Sequence, residues 1–153
     1  MPYIILISMS LITLQIIIND VVDRKVKNKS ILILFFITLF SYAILKDKSL
    51  LKILTMLNYK FSIYCLLFGF LIYFAKAWGA GDAKLLTIMA LFVDSKDQMD
   101  FILIVTILGV FVSFATIFIS SLLKVKKHKI NSVPYGVALS LSFMVYGTVM
   151  YFN

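Results

Sequence analysis

A chain of 153 residues has room for one domain, taken here as residues 1–153. With 62% hydrophobic and 14% charged residues and a mean hydropathy of +1.03, its composition excludes an ordinary water-soluble core and points to a membrane protein. The formal charge of +8 would suggest nucleic acid in a soluble protein, but membrane topology explains it better, and no nucleic-acid partner is expected.

In lipid, every backbone N–H and C=O must be paired within the protein, which leaves a helical bundle or a closed barrel. The apolar runs are continuous rather than alternating, so the expected fold is all-α, a polytopic membrane helical bundle. Six spans follow in chain order: Pro2 to Asn19, Ile31 to Leu45, Phe61 to Phe74, Gly79 to Val93, Phe101 to Leu123 and Val133 to Phe152. A crossing takes roughly 20 apolar residues, and several of these runs are shorter. The second can be extended at either end, and the fourth reaches a workable length only with its "GAGD" turn near membrane depth. Between the second and third lies "KDKSLLKILTMLNYK", Lys46 to Lys60, whose mixture of lysines and apolar residues predicts an interfacial amphipathic helix.

Orientation is read from the loops, because Lys and Arg collect on the cytoplasmic side. "DRKVKNK", "KAWGAGDAK" and "KVKKHK", after the first, third and fifth spans, are basic, whereas "DSKDQMD" after the fourth is acidic on balance. Both termini are therefore expected to face outward. The first run has neither a basic n-region nor a small-residue cleavage site and reads as a retained helix.

All acidic residues are aspartates. Asp94, Asp97 and Asp100 crowd an outer loop and read as solvated surface. Asp20 directly follows the first span and Asp82 opens the fourth, so two complete crossings separate them and both fall on the same face. Taken singly, "GAGD" is a turn with a helix cap and Asp20 the start of a polar loop. Taken together they are two carboxylates that cannot both ionise cheaply, the protonation state an aspartyl protease uses. One carboxylate, as base, takes a proton from an attacking water, and the other, as acid, hydrogen-bonds the peptide carbonyl. That chemistry needs no metal, and no cofactor is expected.

Around Asp82, Gly79 and Gly81 allow a close backbone approach, and Lys84 points away from Asp82 on a regular helix. Ser8, Gln15 and Asn19 form a stripe leading to Asp20 that is expected to face the bundle interior. Cys65 reads as a small core residue and His128 as solvated.

With these residues located, the sequence resembles the type IV prepilin peptidase family, membrane aspartyl peptidases of the GxGD type. "GAGDAKLL", Gly79 to Leu86, carries the likeness most sharply. "DVVDRKVKN", Asp20 to Asn28, is similar to the family's aspartate, basic stretch and Ile-Pro-Asn triplet, with Val26, Lys27 and Asn28 on the triplet. That register makes Asp20 the catalytic candidate, with Asp23 as the fallback. "VPYGVAL", Val133 to Leu139, is similar to a Pro-aromatic-Gly-Pro segment opening the last helix, where Pro134 starts a helix without wasting a donor and Gly136 is the glycine. Lys27 and Val137 depart from family prolines, which bears on loop geometry.

The resemblance implies catalytic Asp20 and Asp82, supported by Gly79, Gly81, Lys84, Asn28, Pro134 and Gly136. It implies an endopeptidase of a prokaryotic inner membrane that removes short basic leaders from prepilin or pseudopilin precursors at the cytoplasmic face, usually after glycine. With Cys65 alone, the CxxC insertion of the bifunctional, N-methylating members is missing, which implies a peptidase-only short form. The leader is basic like the inner loops, so the lysines are expected to contact anionic lipid headgroups rather than steer substrate. Two other classes stay open: an ion-coupled small carrier, which would want charges near the bilayer midplane, and a non-catalytic subunit of a pilus or secretion assembly. Presenilin-type intramembrane proteases share the GxGD element, but Asp20 follows the first span instead of lying midway along a late helix.

Overall fold

The computed structural model describes residues 2–45, 49–122 and 133–152, and these form helices without strands. Among the described residues there are seven: α1 (Pro2–Asp23), α2 (Asn28–Leu45), α3 (Leu50–Met56), α4 (Tyr59–Phe74), α5 (Ala80–Leu91), α6 (Gln98–Leu122) and α7 (Tyr135–Phe152). His128 and Lys46 to Lys48 lie outside the described residues.

The local signals that divide the chain are side-chain and backbone caps. Arg24, in the left-handed region at φ 52, stops α1 and turns the chain toward α2. At the end of α4, Lys76 takes φ 59 and donates its N–H to Tyr73 O at 2.9 Å, while Ala77 N–H reaches Ile72 O at 3.2 Å. This double closure of the last turn is a Schellman motif, which satisfies carbonyls that the helix leaves without donors.

Lys46 to Lys60 is not one amphipathic helix. α3 covers seven residues and α4 starts at Tyr59, the two bent by 58° at the break. Asn58 makes the break, because its side-chain Oδ1 accepts the Phe61 N–H at 3.2 Å and so caps α4. α1 also runs past Asn19, so Asp20 lies within its last turns instead of opening a loop. The stripe of Ser8, Gln15 and Asn19 does not form the interior face: Gln15 is exposed, and Thr13, Ile16 and Asp20, at helical spacing of three and four, are the buried residues.

α7 packs against α1, α5 and α6, α4 lies along α5, and α2 contacts α1, α3 and α5. Ile16, Leu34, Leu85, Met89, Phe101 and Leu139 fill the centre. α4 and α5 approach closely at Gly69, where a Cβ would sit 2.8 Å from Ala83 Cβ. Outward faces stay apolar, as with Phe111, Phe114 and Phe118 on α6. Within α6, Gln98–Ile119 is 22 residues long and has by itself the length and apolar character to cross a membrane; α3 and α4 taken together make a second such segment.

At the end of the bundle where α5 finishes, Asp94 is not a loose surface charge. Its Oδ1 accepts the Tyr42 hydroxyl of α2 at 2.8 Å, and its backbone N–H donates to the Tyr146 hydroxyl of α7 at 2.9 Å. Asn58 adds two bonds to the same turn, from its side-chain amide to Val93 O at 3.0 Å and from its backbone N–H to Leu91 O at 2.9 Å. Phe92 packs edge-on against Tyr42, and Phe101 against both Phe61 and Tyr146. Of the three aspartates read as solvated, Asp94 is therefore part of a tie between α2, α4, α5 and α7, whereas Asp100 is exposed.

Candidate active site

The opposite end of the bundle gathers the last turns of α1 and the first turns of α5 and α7. Asp20 is 5% exposed there, held on the face that α1 presents to α7. Its Oδ2 accepts the Val137 N–H at 3.2 Å, and the Gly136 N–H faces the same carboxylate. Such donors are available because the first N–H groups of a helix have no intrahelical partner. Val137 N–H also reaches Pro134 O at 3.2 Å, so the bond to Asp20 is shared with the turn that opens α7.

Gly136 is what lets the carboxylate come so close. A Cβ at this position would lie 2.8 Å from Asp20 Oδ2 and 2.8 Å from Val26 Cγ2, inside any tolerable contact.

Asp82, 7% exposed, occupies the third position of α5. Its Oδ2 accepts the Gly79 N–H at 3.0 Å, and its own N–H donates to Gly79 O at 3.1 Å. This is the helix cap anticipated for "GAGD". Capping accounts for one carboxylate oxygen only: Oδ1 is buried without a hydrogen-bond partner among the described residues. Val26 packs against Gly81, the neighbour of Asp82, and against Gly136, which lies against Asp20, so the two carboxylates, 62 positions apart along the chain, come to the same end of the bundle.

Val26 joins the two halves. A Cβ on Gly81 would lie 3.0 Å from both Val26 Cβ and Val26 O, and the same side chain meets Gly136 on the other side. One residue of the α1–α2 connection is thus wedged between a glycine of α5 and a glycine of α7. Asn28, the first residue of α2, accepts a bond from Lys84 Nζ at 3.3 Å, so Lys84 leans away from Asp82, as a regular helix requires, and ties α5 to α2. Asp23 is exposed and pairs with Lys27 at 2.9 Å; Lys27 also donates to Asn19 Oδ1 at 3.2 Å. Asp20, not Asp23, is therefore the buried aspartate at this end of α1. Among the described residues no group of three or more His, Cys, Asp or Glu side chains is placed to hold a metal ion.

The sequence profile of the type IV leader peptidase family matches residues 4–125, which includes both aspartates and the whole of "GAGDAK". The chain belongs to that family. A leader peptidase is a hydrolase of peptide bonds, and this one is a type IV leader peptidase-type protease. Comparison with curated proteins and with solved structures finds no match.

Two parts of this leader peptidase's candidate site escaped the sequence. Val26 carries no chemical signal, and only its place in the triplet set it apart. Val137 stood out as a departure from proline, yet proline has no N–H to give, and the Val137 N–H is a donor to Asp20. The departure itself was the available signal.

Proposed function

We propose that this leader peptidase is an integral-membrane aspartyl endopeptidase, a single domain over residues 1–153, with Asp20 and Asp82 as its catalytic pair. Its substrates are prepilin or pseudopilin precursors, whose short basic leader is cut from an apolar helix at the cytoplasmic face of a prokaryotic inner membrane. What supports this reading is that two buried carboxylates, from α1 and α5, lie at one end of the bundle with Val26 packed between their neighbouring glycines, one of them with an oxygen that has no hydrogen-bond partner among the described residues.

In the proposed reaction the pair shares one proton. The ionised carboxylate takes a proton from water as the water oxygen bonds to the peptide carbonyl carbon, and the protonated carboxylate hydrogen-bonds the carbonyl oxygen as it gains negative charge. In the second step the C–N bond breaks, the leaving nitrogen receives one proton from the pair, and one shared proton remains. Gly136, Val137 and Gly79 position the two acids through backbone contacts, and Pro134 starts the helix whose N–H groups face Asp20. Gly81 admits Val26, and the Lys84–Asn28 bond holds α5 to α2. Multiple crossings with both termini outward agree with the basic sequence beside both aspartates, Arg24 to Lys29 and Lys76 to Lys84, of which Lys25, Lys29 and Lys76 face anionic headgroups.

The test is single replacement, Asp20→Asn and Asp82→Asn, with precursor size followed in membranes. Processing is expected to stop in both. Normal processing by either variant would remove the dyad, and ion flux in proteoliposomes without cleavage would favour the carrier reading.

A further inference from the structure

Among the described residues one side of the bundle is not closed. Among the described residues α6 packs extensively only against α7, while α4 lies along α5, and between them runs an apolar groove of about 660 Å³. Its walls extend from Phe61 to Ile72 on α4 and from Phe101 to Ile117 on α6, with Ala138 and Leu139 of α7 in the floor. At a helical rise of about 1.5 Å per residue, the α6 wall is about 24 Å long.

Three observations define what fits. The groove is lined almost wholly by apolar side chains, and the hydroxyls of Thr106 and Ser113 within it turn back to their own helix, to Ile102 O at 2.8 Å and Gly109 O at 2.7 Å. Its length is that of a single helix, and an apolar helix pairs its own backbone groups, as an occupant of a dry groove must. Its end wall is Trp78 against Tyr135, ring centroids 5.4 Å apart. These two residues immediately precede Gly79, whose N–H is held by Asp82, and Gly136, which lies against Asp20. The groove is thus continuous with the carboxylates through one aromatic pair.

We infer that this groove between α4 and α6 receives the apolar helix of the precursor from the side, with the Trp78–Tyr135 pair marking where that helix ends and extended backbone passes to Asp20 and Asp82. The inference rests on the leader-peptidase reading above and adds to it the surface that recognises the substrate. A lipid chain would also tolerate the apolar walls, but it has no part that needs to reach the carboxylates.

The test places a photo-reactive benzoylphenylalanine at Val110, an exposed groove residue, in the full-length protein in native membranes, with an intact precursor whose cleavage is blocked by Asp82→Asn. A crosslink to the precursor's apolar helix is expected; crosslinks to lipid alone, or to a second copy of this chain, overturn the proposal. In the otherwise unaltered enzyme, Val105→Trp and the milder Val105→Phe fill the groove. Cleavage of the full precursor, relative to a short peptide spanning the leader junction without the helix, is expected to fall at least tenfold. An unchanged ratio in both variants, with the aspartate variants inactive, sinks the groove and leaves the dyad standing. Active aspartate variants sink the dyad, and the Val110 crosslink, then sought on the processed helix as well as on the precursor, still reads the groove. If neither Val105 variant folds, the crosslink alone decides.

Discussion

The two ends of the bundle use the same residue type in opposite ways. At one end Asp94 is gripped by the Tyr42 hydroxyl, its own N–H is taken by Tyr146, and Asn58 fastens the adjoining turn. At the other end Asp20 and Asp82 rest on helix-terminal N–H groups, one oxygen of Asp82 has no protein partner among the described residues, and glycines replace side chains at the contacts. An acid whose hydrogen bonds run to side chains of other helices fastens those helices together. Acids held mainly by backbone donors at one end of the bundle and largely shielded from water keep capacity for a proton.

If that contrast is right, the largest effect belongs to Asp20→Asn and Asp82→Asn: about 10²- to 10⁴-fold loss of cleavage in a membrane assay, with thermal stability retained, because each replacement relieves repulsion in a buried pair. Asp94→Asn in the same assay is expected to leave the rate per folded molecule nearly unchanged. A pair that works with one shared proton also predicts a bell-shaped dependence of kcat/KM on pH, falling on the acid side as the second carboxylate protonates and on the alkaline side as the shared proton leaves. A plateau that continues through the alkaline side would exclude the shared proton.

Next comes Gly136→Ala, whose Cβ would meet Asp20 Oδ2 at 2.8 Å. Displacement of a reacting group by about 1 Å is worth roughly 10²-fold in rate, and this loss should appear in kcat with the chain still folded. At the fastened end, Tyr42→Phe and Tyr146→Phe each remove a hydroxyl from Asp94 and should cost about 1 kcal/mol of stability, read as a lower apparent Tm in detergent with cleavage per folded molecule unaltered. The smallest effect is expected for Lys84→Met, which breaks an exposed bond to Asn28. A change of no more than a few-fold in kcat/KM is predicted, since exposed bonds of this kind contribute about 1 kcal/mol or less. A hundredfold loss would make Lys84 part of the chemistry.

Sequence alone determined that the chain is helical, because a backbone in an apolar environment must pair its own groups and the apolar runs are unbroken. It also brought Asp20 and Asp82 to one end, since helices that alternate in direction return every second connection to the same side. What it could not reach were contacts between residues remote along the chain whose types advertise nothing: Val26 between Gly81 and Gly136, and the Val137 N–H on Asp20. The same holds for Asp94, whose charge pattern reads as solvated until Tyr42 and Tyr146 come from other helices to meet it. Hydropathy is a property of neighbours in sequence, whereas the partner of a carboxylate is decided by which helices pack together, and only the tertiary structure selects those.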